Sequence, residues 1–145
     1  LGAMTGQVFV WLAYRDHYKA TQDSDLIQAT FCTAPAINNP INNFVSELLG
    51  TLMLVFGVLF ITAPVSSLGA LDALPVALLV LAIGLSLGGS TGYAINPARD
   101  LGPRIIHFIL PLKHKGDSSW RYSWIPVIGP LTGSIIAVFL FKMIF

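Results

Sequence analysis

The residues best suited to chemistry lie in one stretch, Gly84 to Leu112, which reads GLSLGGSTGYAINPARDLGPRIIHFILPL. Asn96 followed by Pro97 is a good helix start, because Asn caps the first free N–H groups and the fixed φ of proline suits the first helical position. The apolar part that follows, Leu101 to Leu112, is too short to cross a bilayer, which takes roughly 20 apolar residues at about 1.5 Å each. Gly88, Gly89 and Gly92 supply the backbone freedom that an irregular descent requires. The stretch therefore predicts an extended segment entering the membrane and a half-helix leaving it. Such backbone is tolerated at membrane depth only where protein or a water-filled cavity satisfies its N–H and C=O groups.

That arrangement is suited to passing a neutral solute. A half-helix N-terminus at mid-membrane presents about half a positive charge, which disfavours cations and protons at the narrowest depth. Asn96 can offer its amide N–H donors, while the descent through Gly92, Tyr93 and Ala94 offers free carbonyls. Arg99, one turn into the half-helix, keeps its charge and is expensive in lipid, so it must face water, a carbonyl or a carboxylate. It serves as donor and cation barrier together. Asn-Pro pairs also occur in many ordinary turns, and Tyr93 on its own also fits a plain core position.

The rest of the chain agrees with a lipid solvent. Of its 145 residues 54% are hydrophobic and 10% charged, with mean hydropathy +0.74, whereas soluble domains carry about 25% charged residues. A formal net charge of +1 removes the case for nucleic-acid binding, which needs a basic patch able to neutralise several phosphates. The single cysteine, Cys32, forbids an internal disulfide. The three histidines, His17, His107 and His114, show no metal-ligand spacing and are read as structural or surface residues. No cofactor is expected. A membrane enzyme finds no support, since no Ser/His/Asp or Cys/His grouping has a local motif around it.

Hydropathy orders the elements that must hold the site. Leu1 to Tyr14 is apolar and reads as the end of a longer span, so the sequence is expected to be a C-terminal piece. Arg15 to Asn43 reads as a long extramembrane connection rich in breaks such as Asn38, Asn39 and Pro40. Residues 44–63 make a complete span interrupted by Glu47, Pro64 to Asp72 a turn-rich link, and residues 73–90 the next span. The half-helix is expected at 96–112 and the last span at 122–145. Gly84 with Gly88, and Gly129 with Gly133, have the spacing of close helix contacts, the reading preferred for Gly88, Gly129 and Gly133. Trp120, Tyr122 and Trp124 cluster as an interfacial aromatic belt would.

The string Gly92-Tyr93-Ala94-Ile95-Asn96-Pro97-Ala98-Arg99-Asp100, continued by Gly102-Pro103-Arg104, closely resembles the second NPA box of the major intrinsic protein (aquaporin) family. The tripeptide alone is weak, but the longer string after a glycine-rich span is specific. The resemblance runs along nearly the whole chain. It implies an all-α membrane protein, an aquaporin-like right-handed helical bundle with a re-entrant half-helix, of which this chain carries about three and a half of six spans. It further implies that Glu47, at the family's fourth-span glutamate, holds backbone N–H groups of the re-entrant loop, with Asp100 also supporting that loop. Glu47 read alone is equally an interfacial carboxylate.

Within the family the details resemble the glycerol-facilitator branch. The filter there takes a fifth-span residue, a loop residue and the arginine after the box, which fall on Gly84, Tyr93 and Arg99. A glycine leaves room for a carbon chain where water channels usually carry a bulky His, and Gly84 also has the spacing for helix packing. Tyr93 offers an aromatic wall to CH groups. Asp100, Arg104 and the pair Pro126-Val127 match the same branch, whereas Ala34 departs from the aromatic that facilitators often carry at a loop position. The resemblance thus implies a passive channel for glycerol and other small uncharged solutes, with water permeation and exclusion of ions and protons. It also implies a cell membrane location in a lipid bilayer and a homotetramer. The alternatives are a water-selective channel and a non-conducting structural protein on the same fold. The positive-inside rule would place the loop with Arg104, Lys113, Lys115 and Arg121 in the cytoplasm, but the resemblance places it outside, and that orientation is adopted.

Overall fold

The computed structural model describes residues 1–61, 67 and 69–145, the side chain of residue 70 excepted, and every described regular element is helical. In chain order these are α1 (Gly2–Ala13), α2 (Arg15–Ala20), α3 (Ser24–Ala29), α4 (Pro40–Ile61), a 3-10 turn (Gly69–Ala73), α5 (Leu74–Thr91), α6 (Pro97–Ile109) and α7 (Ile125–Ile144). Among the described residues α4, α7 and a stretch containing α5 are long and apolar enough to cross a membrane. The expected end of the first full span at Ala63 and most of the Pro64 to Asp72 link lie outside the described residues.

Helix α4 begins four residues earlier than hydropathy indicates, at Pro40 rather than Phe44. The reason is an Asn-Pro start of the same kind as Asn96-Pro97. Asn39 Oδ1 accepts the N–H of Asn42 at 3.2 Å, and Asn43 Nδ2 donates to the Ile37 carbonyl at 3.0 Å. The asparagines that read as loop breaks are thus the cap of a helix. The preceding connection is also more ordered than its polarity indicates. Asp23 caps α3 by accepting from Asp25 and Leu26, and Tyr18, Ile27, Phe31 and Cys32 form a buried cluster with Ile106 of α6. Met4, Val8 and Trp11 of α1 close that cluster. Gly102 lets α1 approach α6, because a Cβ there would stand 3.2 Å from Ala3 Cβ.

The most extensive helix pair is α4 with α7. Gly129 and Gly133 make it possible: a Cβ on Gly129 would lie 2.9 Å from Glu47 Cβ, and one on Gly133 would run into the Leu48 carbonyl oxygen. Gly88 behaves otherwise. Its expected partner was a neighbouring helix, yet the atoms facing it belong to the ring of Tyr93, as do those facing Gly84. The aromatic belt also needs correcting. Trp120 and Trp124 are 39% and 45% exposed, but Tyr122 is buried beneath the Arg104 guanidinium, 5.7 Å from its ring centre.

Two outcomes follow from this packing. Gly133→Ala forces α7 away from α4 and costs about 1–3 kcal/mol by overpacking, whereas Gly89→Ala, where nothing lies within 4 Å, is close to neutral; thermal unfolding in detergent compares the two. Cys32 lies outside the membrane-crossing helices, and burial pushes its thiol up to about 11. Since the thiolate is the reactive form, maleimide labelling near neutral pH is expected to be about a hundredfold slower in the folded protein than after denaturation. Equal labelling rates in the two states would contradict that burial.

Candidate functional site

The site starts with a carboxylate inside an apolar helix. Glu47 is fully buried in α4, and its two oxygens accept from Ala94 N at 2.9 Å and Ile95 N at 2.7 Å. Those amides belong to the segment between α5 and α6, whose backbone is unusual. Gly92 closes α5 at φ +74°, and Tyr93 and Ile95 lie at φ +38° and +43°. A non-glycine residue held there costs on the order of 1–3 kcal/mol, and a hydrogen bond to a charged acceptor contributes about 1.5–3 kcal/mol. Two such bonds therefore offset the strain of the two residues. Gly50 completes the seat, since a Cβ there would stand 2.9 Å from Ile95 Cγ2.

With the N–H groups turned to Glu47, the carbonyls of Gly92, Tyr93 and Ala94 accept no hydrogen bond from any described residue. They are acceptors without an internal partner. Asn96 then starts α6: its Oδ1 takes the N–H of Ala98 at 2.9 Å and of Arg99 at 3.3 Å, which leaves Nδ2 as the free donor. Pro97 occupies the first helical position. Helix α6 has 13 residues, a length of about 20 Å at 1.5 Å per residue, so it cannot cross a bilayer core of about 30 Å.

Arg99 is exposed, and its guanidinium makes no hydrogen bond to a described residue. It lines a cavity of about 1140 Å³ together with Thr33, Ala34, Gly88, Gly92 and Trp120. It also lines a second one of about 500 Å³ with Asn96, Ala98 and Gln7. Arg99 thus belongs to the walls of both cavities. The structure brings Gly84 and Tyr93 into direct contact, and puts Asn96, Ala98 and Arg99 on one wall. Ala34 lies in the larger cavity beside Arg99.

Asp100 faces the other way. Fully buried, it accepts the backbone N–H and hydroxyl of Thr33 on one oxygen at 2.8 and 2.7 Å, and Arg104 on the other. Arg104 is fully buried too and also donates to the carbonyls of Thr33, Ser118 and Ser119. The pair therefore ties the loop after α3 and the loop before α7 to the half-helix. Sequence reading used Arg104 only as a mark of the family branch and missed this role. The i,i+4 spacing of Asp100 and Arg104 on a short helix was the available signal. His107 joins the same layer through Ser118 Oγ at 2.8 Å, and Lys115 caps α6 by donating to the carbonyls of His107, Phe108 and Leu110.

Three membrane-length helices among the described residues, an irregular loop held by a buried carboxylate and a capped short helix define a polytopic membrane protein. Residues 1–141 match the family described as Major intrinsic protein, and the chain belongs to that family of multi-pass membrane proteins. It is 49% identical over 142 residues to the "Glycerol uptake facilitator protein" of Streptococcus pneumoniae serotype 4, covering 98% of this chain and 60% of that protein. It is 50% identical over 145 residues to the "Probable glycerol uptake facilitator protein" of Thermotoga maritima, covering all of this chain and 62% of that one. Among solved structures, the aquaglyceroporin from Plasmodium falciparum superposes with a TM-score of 0.79 at 30% identity, over 94% of this chain and 57% of that one. The chain thus spans about 60% of the length of the curated relatives it matches.

The Asp100–Arg104 clamp carries its own prediction. Arg104→Met leaves a buried carboxylate unpaired and costs about 3–5 kcal/mol, while Asp100→Asn combined with Arg104→Met costs less than the sum of the two single changes. Thermal unfolding of the four proteins measures the coupling, and strict additivity would show that the pair is not a unit.

Proposed function

We propose that the chain is the C-terminal part of a passive channel for glycerol and other small uncharged solutes, which also passes water and excludes ions and protons. The observation that carries this reading is the pinned loop: its carbonyls at Gly92, Tyr93 and Ala94 accept no hydrogen bond from a described residue and are followed along the chain by the donors of Asn96 and Arg99. Taking a polyol out of water is costly unless each hydroxyl finds a partner. A row of acceptors followed by donors supplies those partners in sequence. The Tyr93 ring, 39% exposed on one side and laid against glycines on the other, offers an apolar wall to the carbon chain. The names of the relatives from Streptococcus pneumoniae and Thermotoga maritima support the same solute.

Charge selection follows from the same residues. The N-terminus of α6 contributes about half a positive charge, and Arg99 adds a full one with no carboxylate of the described residues paired to it. A cation entering this depth meets both. No covalent step is needed, because the solute gradient alone drives flux. In this reading Gly84, Tyr93 and Arg99 form the filter, Asn96, Pro97 and Ala98 the box at the half-helix start, and Glu47 the support of the loop, while the expected loop support Asp100 instead holds Thr33 and Arg104 behind the half-helix. The assembly is proposed to be a homotetramer in the cell membrane.

Stopped-flow light scattering on vesicles containing the channel expressed from its complete gene tests the proposal. Glycerol-driven reswelling clearly faster than in empty vesicles is expected; reswelling at the empty-vesicle rate would refute it, and fast water shrinkage alone would assign a water-selective channel. Gly84→His places new atoms where a Cβ would already stand 3.0 Å from Tyr93 Cζ. It is expected to lower glycerol flux by about tenfold while affecting water flux less, on the scale of an overpacking cost. Equal loss of both would remove Gly84 from the filter.

A further inference from the structure

Tyr93 is held in an unusual way. Its backbone lies in the left-handed region at φ +38°, between two fixed points. On one side the N–H of Gly92 closes α5 on the Gly88 carbonyl at 2.8 Å, and on the other the N–H groups of Ala94 and Ile95 are bound to Glu47. The backbone therefore cannot retreat to relieve pressure on the ring.

The ring lies lengthwise along α5. A Cβ at Gly88 would stand 2.7 Å from Cδ1, 3.2 Å from Cε1 and 3.7 Å from Cγ, which are the ring atoms nearest the backbone. A Cβ at Gly84 would stand 3.0 Å from Cζ and 3.3 Å from both Cε2 and the hydroxyl oxygen, at the far end. Gly88 thus meets the root of the ring and Gly84 its tip. The root contact is the tighter of the two, and it cannot be relieved by swinging the tip. Gly89, the next residue, has open space, so the need for a missing Cβ is particular to the positions under the ring. The hydroxyl makes no hydrogen bond to a described residue, so no hydrogen bond at the tip opposes a displacement away from α5.

We propose that Gly88 is a positioning residue of the solute filter: by leaving room for the root of the Tyr93 ring against α5, it sets how far the exposed side of that ring stands off α5 and so how wide a solute passes. The proposal rests on the channel reading above. Gly88 also lines the larger cavity with Arg99, so removal of the Tyr93 ring is what separates an effect through the ring from a direct one. Gly88 acts through Tyr93, and its effect is on size selection rather than on the polar row of carbonyls and donors.

The test uses the channel from its complete gene, reconstituted in vesicles, with glycerol and water fluxes measured for Gly88→Ala, Tyr93→Ala and the double variant. Gly88→Ala is expected to lower glycerol flux by about tenfold, the scale on which overpacking a tight site acts, with water flux changed much less. In the Tyr93→Ala background the same substitution is expected to leave both fluxes unchanged, because the clashing ring is gone. Tyr93→Phe, which removes only the tip oxygen, is expected to relieve Gly84→Ala in part and Gly88→Ala not at all. An unchanged glycerol-to-water ratio in Gly88→Ala would overturn the proposal, as would a loss that persists without the Tyr93 ring. If Gly88→Ala does not reach the membrane, delivery of the double variant supports the seat and its non-delivery refutes it. A wild-type channel that passes no glycerol would instead refute the channel reading, which keeps the two failures apart.

Discussion

The arrangement depends on one carboxylate with two amides on it. Glu47 has no exposed surface, and each of its oxygens takes one backbone N–H from the segment after α5. Left in water, that segment has no reason to hold two non-glycine residues at positive φ. Held by Glu47, it must. The direction in which the carbonyls of residues 92–94 are left, the position of the Tyr93 ring and the depth at which Asn96 starts α6 all follow from where those two N–H groups are fixed. The fix in turn is only as good as the position of α4. That helix is locked against α7 at the very residues concerned, since Gly129 lies against Glu47 Cβ and Gly133 against the Leu48 carbonyl. Two glycines in the last helix thereby govern the geometry of a loop some forty residues earlier in the chain.

The polar groups of the loop and of the start of α6 divide into those already satisfied and those left available. Asn96 shows the division within a single side chain, with its Oδ1 spent on the N–H groups of Ala98 and Arg99 and its amide nitrogen left over. The same holds for the loop, whose N–H groups are used and whose carbonyls are not. In the proposed channel, acceptors that no described residue uses are free to pair with the hydroxyls of a passing solute, whose desolvation is otherwise costly.

Much of this was legible in the sequence because it rests on local signals. The Asn96-Pro97 start, the shortness of the apolar run after it and the glycines before it each have a backbone reason that needs no neighbour. Polarity misled where local and distant roles coincide. Asn39-Pro40 is the same start signal as Asn96-Pro97, but it sits in a run of asparagines and so read as loop. Tyr122 beside two tryptophans had the look of an interfacial belt, and only the fold shows Arg104 above its ring. The spacing of Gly84 and Gly88 marked a close contact correctly, yet spacing cannot say whether the partner is another helix or a side chain five residues further along the same chain. Thr33 and Ser118, as partners of Asp100, Arg104 and His107, carried no signal at all, since they reach the half-helix from loops on either side of it.

The two arginines of α6 show how one helix presents one charge that is satisfied and one that is free. Five residues apart, Arg99 and Arg104 point about 140° away from each other at 100° per residue. Arg104 is sealed from solvent and its guanidinium is saturated by one carboxylate and three carbonyls. Arg99 is exposed between two cavities and bound to no described group. The buried charge of Arg104 is neutralised by Asp100, so the net charge presented by the start of the helix is that of Arg99 plus the helix dipole. Had Asp100 stood on the face of Arg99, the positive charge that the proposed channel sets against cations would have been cancelled there. Placing the carboxylate one residue on, and its partner one turn beyond, keeps the neutralised pair at the back as a clamp for two loops and leaves an uncompensated donor at the front.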